Sequence, residues 1–82
     1  MNFDDYIRSL TLGDEVIVKD KNNFYYCVLD KITPTGILRI IPNYNKFIVY
    51  SFDKHGRCRG NNYNLSIVNK FDKVSMEVVK LS

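Results

Sequence analysis

The chain has 82 residues and a formal net charge of +3, and 45% of its residues are hydrophobic. A chain of this length forms one domain and leaves little volume for a deep enzyme cleft, so we interpret residues 1–82 as a single small domain. No stretch approaches the roughly 18 apolar residues of a membrane span, and the acidic start Met1–Asp5 does not fit a secretory signal. The composition therefore predicts a cytoplasmic protein without a membrane partner.

The first third of the chain predicts a short helix followed by two strands. Apolar residues at helical spacing indicate a helix over residues 3–9, with Asn2 as its N-cap. The segment Val16–Val18 indicates a first strand. Aromatic and β-branched residues dominate Phe24–Ile32, which predicts a long second strand.

Pro and Gly mark the boundaries of the next elements. Thr33–Gly36 has Pro and Gly at the positions that a tight turn favours, so the third strand is expected over 37–41. Pro42 ends that strand, and residues 46–52 follow as a fourth. The short apolar run Leu65–Val68 predicts a closing strand.

The chain's last twenty residues, 63–82, allow two interpretations. Apolar residues recur at helical spacing and Asp72 suits an N-cap, whereas Val74, Met76 and Val78 also alternate as in a strand. We favour a C-terminal helix packed over the open end of a barrel. The expected fold is mainly β, a small barrel of about five strands with a short N-terminal helix and this C-terminal helix.

Three short motifs within residues 11–60 resemble small proteins of phages and mobile elements. The matching residues are Gly13, Asp14 and Val16, then Ile32 to Gly36, then Phe52, Gly56, Arg57, Arg59 and Gly60. The resemblance implies an SH3-like barrel of the Tudor and KOW type, and it implies a phage-type inhibitor or adaptor that binds a host or defence protein. Asn22 and Asn23 stand where a KOW unit has Gly, so no ribosome- or polymerase-associated role is carried over.

The charge is distributed unevenly along the chain. Residues 1–30 carry three basic and six acidic side chains, a net charge of −3, whereas residues 31–82 carry nine basic and three acidic side chains, a net charge of +6. A fold that gathers the second-half charges would present a basic face to nucleic acid.

The segment His55–Gly60 is the most function-like part of the sequence. Two arginines spaced two residues apart offer planar forks for phosphate or carboxylate, and the flanking glycines allow a close approach of backbone to ligand. A hairpin turn with a solvated basic tip explains the same residues without a ligand. The candidate binding residues in and around this loop are Lys46, Lys54, His55, Arg57 and Arg59.

Aromatic side chains form a second candidate feature. Tyr25 and Tyr26 must point to opposite faces of a strand, so at least one of them is expected outside the core. Tyr44 lies in a polar turn and is the best candidate for an exposed stacking platform. Core packing and a protein interface are the alternatives for these aromatic residues.

The sequence favours binding over catalysis. His55 is the single histidine, and Cys58 in the same loop is too close in sequence to form a typical nucleophile–base pair with it. Cys27 is expected to be a buried thiol, and Cys58 to have a lowered pKa if its thiol is exposed between the two arginines. We therefore predict no enzyme, no catalytic residue, no metal and no cofactor.

Two functional hypotheses remain near parity. The first is a nucleic-acid-binding barrel, and the second is the inhibitor or adaptor that the resemblance implies. Asn, Ile, Lys and Tyr make up 31 of the 82 residues, a bias towards AT-rich codons that suggests a low-GC bacterium or its phage, and hence the cytoplasm of a bacterial host. An unpaired edge strand would also allow homodimerisation.

Overall fold

The computed structural model describes residues 1–60 and 64–81. Within these ranges the elements are α1 (Phe3–Ser9), β1 (Glu15–Lys19), β2 (Phe24–Ile32), β3 (Leu38–Pro42), β4 (Tyr50–Phe52), β5 (Ser66–Ile67) and α2 (Lys73–Lys80). The strands form one antiparallel sheet in the order β4-β3-β2-β1-β5, which curls into a half-barrel. The predicted mainly-β fold with about five strands and a helix at each end is confirmed.

The concave face of the sheet, called the inner face below, carries the main core. Its buried side chains are Val16, Val18, Cys27, Leu29, Leu38, Ile40, Tyr50, Phe52 and Ile67. Helix α1 adds Tyr6, Ile7 and Leu10 to the same cluster. The Asn2 side chain accepts a hydrogen bond from the Asp5 N–H and caps this helix, as predicted.

The convex face, called the outer face, is covered at β1 by the C-terminal helix. Ile17 points away from the main core and packs with Val68 and with Val79 of α2. The predicted helix and its Asp72 N-cap are confirmed, but its expected place over the open end of the barrel is wrong. The apolar stripe of α2 meets the outer face of β1, and α1 packs into the inner core instead. Residues 63 and 82 of the predicted segment lie outside the described residues.

The fourth strand is shorter than predicted. The expected strand over 46–52 is formed only at Tyr50–Phe52, because Asn45 organises a turn ahead of it. The Asn45 carboxamide oxygen accepts from the Phe47 N–H at 2.9 Å, and the Asn45 carbonyl accepts from the Ile48 N–H at 3.3 Å. A local side-chain bond has replaced the strand ladder here.

The two ends of the sheet are linked through residues 57–59. Cys58 forms a backbone bridge to Phe52 of β4, and Arg57 forms one to Ser66 of β5. The Arg59 N–H also donates to the Ser51 carbonyl at 2.8 Å. The edge of β4 that faces away from β3 is thus paired within the chain. Homodimerisation through an edge strand stays a prediction.

Candidate functional site

A hairpin turn holds the basic loop that the sequence singled out. The Asp53 carboxylate accepts from the backbone N–H groups of His55 at 2.8 Å and Arg57 at 2.9 Å, and from Arg57 Nε at 3.2 Å. Partial burial opposes ionisation, but these donors and the guanidinium outweigh it and lower the pKa of Asp53. Asp53 therefore fixes the turn and neutralises part of the Arg57 charge.

Gly56 anchors this turn to α1. Its φ is +79°, and a Cβ built on it would lie 2.7 Å from the Phe3 ring and 3.0 Å from Ile7 Cδ1. The turn can pack this closely because Gly has neither a side chain nor a penalty in the left-handed region. Helix α1 thereby sets the position of the basic hairpin.

The hairpin sends both of its arginines to the outer face. Cys58 packs against the inner core, so the side chains of Arg57 and Arg59 on either side of it project from the opposite face. The guanidinium-bearing side chain of Arg57 is 76% exposed, and Arg59 is exposed as well. Both arginines are thus accessible from solvent on one face.

The strand register extends this feature into a row of basic side chains. Lys31 is paired with Arg39, Arg39 with Ser51, and Ser51 is opposite Arg59. Directly opposed residues on neighbouring strands have Cβ atoms about 5 Å apart. We call Lys31, Arg39 and Arg59 the basic row. Within residues 1–60 and 64–81, none of the three has a carboxylate at ion-pair distance.

The outer face beyond the basic row is apolar. Val28 is paired with Ile41, which lies two residues from Arg39 along β3. Tyr26 lies two residues before Val28 along β2. Tyr26 is 49% exposed and Val28 is also exposed. We call Tyr26, Val28 and Ile41 the apolar patch.

Two shallow grooves flank this apolar patch. One, of about 390 Å³, is lined by Val28, Asp30, Ile41, Pro42, Asn43 and Lys46. The other, of about 460 Å³, separates Tyr26 from Val79 of α2 and includes Asn22 and Asn23. Asp30 is the acidic side chain that lines the first groove. It directly precedes Lys31 of the basic row in β2.

Tyr44 belongs to a separate tyrosine cluster. Its hydroxyl lies 2.5 Å from the hydroxyl of buried Tyr50, and its ring centroid lies 5.5 Å from that of Tyr25, whose hydroxyl donates to Asp20 at 2.7 Å. Burial and the bond to Tyr44 raise the pKa of Tyr50. These contacts fix the connection between β3 and β4. Tyr44 is exposed, but its contacts with Tyr25 and Tyr50 hold its side chain in place.

The structure divides the residues predicted for the site into two groups. Lys54, His55, Arg57 and Arg59 follow the end of β4, and a Cβ at Gly36 would meet the Lys54 Cβ at 3.1 Å. Tyr44 and Lys46 precede the start of β4, at its opposite end. Lys46 nevertheless lines the groove beside the apolar patch, so it shares the outer face with Arg59.

Lys31 and Arg39 are the two members of the basic row that were not predicted from the sequence. Arg39 has a clear signal, since it is a lone charge between the core residues Leu38 and Ile40 and must project from the other face. Lys31 has no such signal. The bulge between Leu29 and Lys31 shifts the register and places it opposite Arg39.

The structure places both cysteine thiols in or against the main core. Both cysteines are free, and Cys27 is buried as predicted, with burial raising its pKa to about 11. The lowered pKa expected for Cys58 applied to an exposed thiol, and that condition is not met. Cys58 packs partly into the core, and this burial raises its pKa despite the adjacent arginines. Among residues 1–60 and 64–81, no three His, Cys, Asp or Glu side chains are placed to hold a metal ion.

Comparison with protein-family models, with curated proteins and with solved structures finds no match for this chain. Of the helices in the described ranges, neither α1 nor α2 is long and apolar enough to cross a membrane.

Proposed function

We propose that this protein is a small non-catalytic binding module that contacts nucleic acid through its outer face. The basic row carries the proposal. Lys31 and Arg39 are directly paired, and Arg59 lies in line with them on the far side of Ser51. Arg57 lies two residues from Arg59 on the same face. Such a row of cations suits the negative charges of a phosphate backbone.

The surroundings of the row also favour an anionic partner. Its three members have no ion-pair partner among the described residues, so their donors are free for phosphate oxygens. Arginine offers a planar fork that binds phosphate in bidentate fashion, and two of the three are arginines. Asp30 is the feature that opposes phosphate binding at this face.

The test measures binding to labelled mixed-sequence DNA and RNA by fluorescence anisotropy at a series of salt concentrations. Three phosphate contacts on a single strand would weaken binding about twentyfold between about 50 and 200 mM salt. Arg39→Ala/Arg59→Ala should lower the slope of log K against log salt by about 1.4, because each contact contributes about 0.7.

A matched control separates the basic row from net charge. Arg8→Ala/Lys73→Ala removes the same amount of charge from exposed positions on α1 and α2, and it should change binding little. If the Arg39/Arg59 variant binds as tightly as the control variant, the proposed function is wrong.

A specific observation also favours the second hypothesis, a phage-type inhibitor or adaptor of a host or defence protein. Phe47 is 97% exposed, and Val49 in the same connection is exposed as well. Exposed aromatic residues frequently anchor protein interfaces. This hypothesis would be supported by a bacterial protein that binds in stoichiometric amount and stays bound after nuclease treatment. That protein should also bind the Arg39→Ala/Arg59→Ala variant and fail to bind the Phe47→Ser variant. Capture that depends on nucleic acid would contradict the hypothesis.

A further inference from the structure

We infer that the nucleic acid bound by the outer face is single-stranded, with its phosphates on the basic row and its bases on the apolar patch around Tyr26. This inference rests on the proposed function and specifies its ligand. The observation behind it is that cationic and apolar surfaces are adjacent on one sheet face.

The distances between the two surfaces suit one strand of nucleotides. Successive residues on one face of a strand are about 6.7 Å apart, so the Val28–Ile41 pair lies about that far from Arg39 along β3. Tyr26 lies one such step further along β2. A base whose phosphate is held by the basic row therefore reaches the Val28–Ile41 pair, and a following base reaches the Tyr26 ring.

The apolar patch distinguishes a single strand from a duplex. A duplex hides the flat faces of its bases in the stack and offers phosphates alone, so it could use the basic row but not the patch. An unpaired strand exposes its base faces, and stacking on an aromatic side chain is a general means of binding such strands without reading their sequence. The outer face carries both the cations and the aromatic ring that this mode requires.

An open groove beside Tyr26 provides room for a stacked base, and its other wall includes Val79 of α2. A second groove runs along Val28, Ile41 and Lys46. Tyr26 is 49% exposed, so a base can reach its ring. Lys46 is placed to contact a phosphate beside the Val28–Ile41 pair.

The experiment compares a labelled oligothymidylate, an oligouridylate of the same length, and the duplex of the first with oligoadenylate. We expect both single strands to bind more tightly than the duplex. Tyr26→Ala should weaken single-strand binding about fivefold or more, Tyr26→Phe should retain it, and duplex binding should be the same in all three proteins.

A spectroscopic readout reports stacking directly. The chain contains no Trp, so Tyr26→Trp introduces a single tryptophan whose fluorescence a stacked base quenches. Phe71→Trp is the control, because Phe71 is exposed but packs edge-on against Tyr6, away from the outer face. Quenching at position 26 and not at 71 is the expected result.

The outcomes separate this inference from the proposed function. Duplex binding that equals single-strand binding, requires Arg39 and Arg59, and ignores Tyr26→Ala would overturn the inference and leave the proposed function standing. Binding to none of the three probes would overturn both. Preference for either single strand with quenching at position 26 supports both, and the DNA and RNA probes then show which sugar is preferred.

Discussion

Replacing Gly56 by Ala tests the contact that positions the basic hairpin. A left-handed conformation costs a residue with a Cβ about 1–2 kcal/mol. The new Cβ would also lie 2.7 Å from the Phe3 ring, and overpacking of this kind costs about 1–3 kcal/mol. The expected loss in free energy of unfolding is therefore about 2–5 kcal/mol, a large part of the 5–15 kcal/mol typical of a folded domain.

Gly60→Ala is the matched control for this change. Gly60 has the same φ of +79°, but a Cβ there would meet no atom within 4 Å. Its loss should be about 1–2 kcal/mol, which reflects the backbone conformation alone. The difference between the two variants isolates the packing against Phe3 and Ile7.

Urea denaturation monitored by circular dichroism measures both losses. In a thermal denaturation of the same variants, each 1 kcal/mol should lower the melting temperature by about 4–8 °C in a domain of this size. In a Phe3→Ala background, the loss caused by Gly56→Ala should shrink towards that of Gly60→Ala, because the ring is no longer there. Equal losses for the two glycine variants in the wild-type background would refute the packing of the hairpin on α1.

Two further predictions concern polar contacts. Tyr44→Phe removes the partner of the buried Tyr50 hydroxyl and should cost about 1–3 kcal/mol in urea denaturation, whereas Tyr26→Phe on the exposed face should stay within about 0.5 kcal/mol; similar losses would contradict the tyrosine cluster. Asp53→Asn keeps an acceptor for the turn but removes the charge. Because folding lowers the Asp53 pKa below its usual 3.8, the charge stabilises the fold above that pH and ceases to do so as pH falls through the lowered pKa. Denaturation across pH should show a wild-type advantage at neutral pH that disappears in acid, and an advantage that grows in acid would contradict the assignment.

Local signals account for the parts of the fold that the sequence predicted well. Helix α1 and strand β2 have the predicted bounds, because a capping Asn2 and a long β-prone run act through neighbouring residues. The start of β4 was missed because the Asn45 side chain competes with the ladder. The place of α2 was missed because helical spacing shows that a stripe is apolar and does not show which surface covers it.

The candidate site was predicted only in part, for a related reason. Arg57 and Arg59 are close in sequence and were found as a pair, but the basic row depends on which residues face one another across strands. Strict alternation from Cys27 and Leu29 would place Lys31 on the inner face, and the bulge reverses that. Register and bulges are set by the whole sheet, so this part of the face could not be read from one strand at a time.

The continuity of the binding surface in sequence has a consequence for the order of folding. The basic row and the apolar patch come from residues 26–59, whose strands β2, β3 and β4 pair in simple succession, whereas β5 and α2 return from the C-terminal end to β1. Contacts between chain neighbours form sooner than contacts that close a long loop. The strands that carry the binding surface can therefore pair before β5 and α2 close on β1, and the C-terminal segment completes the sheet around a surface that has begun to form.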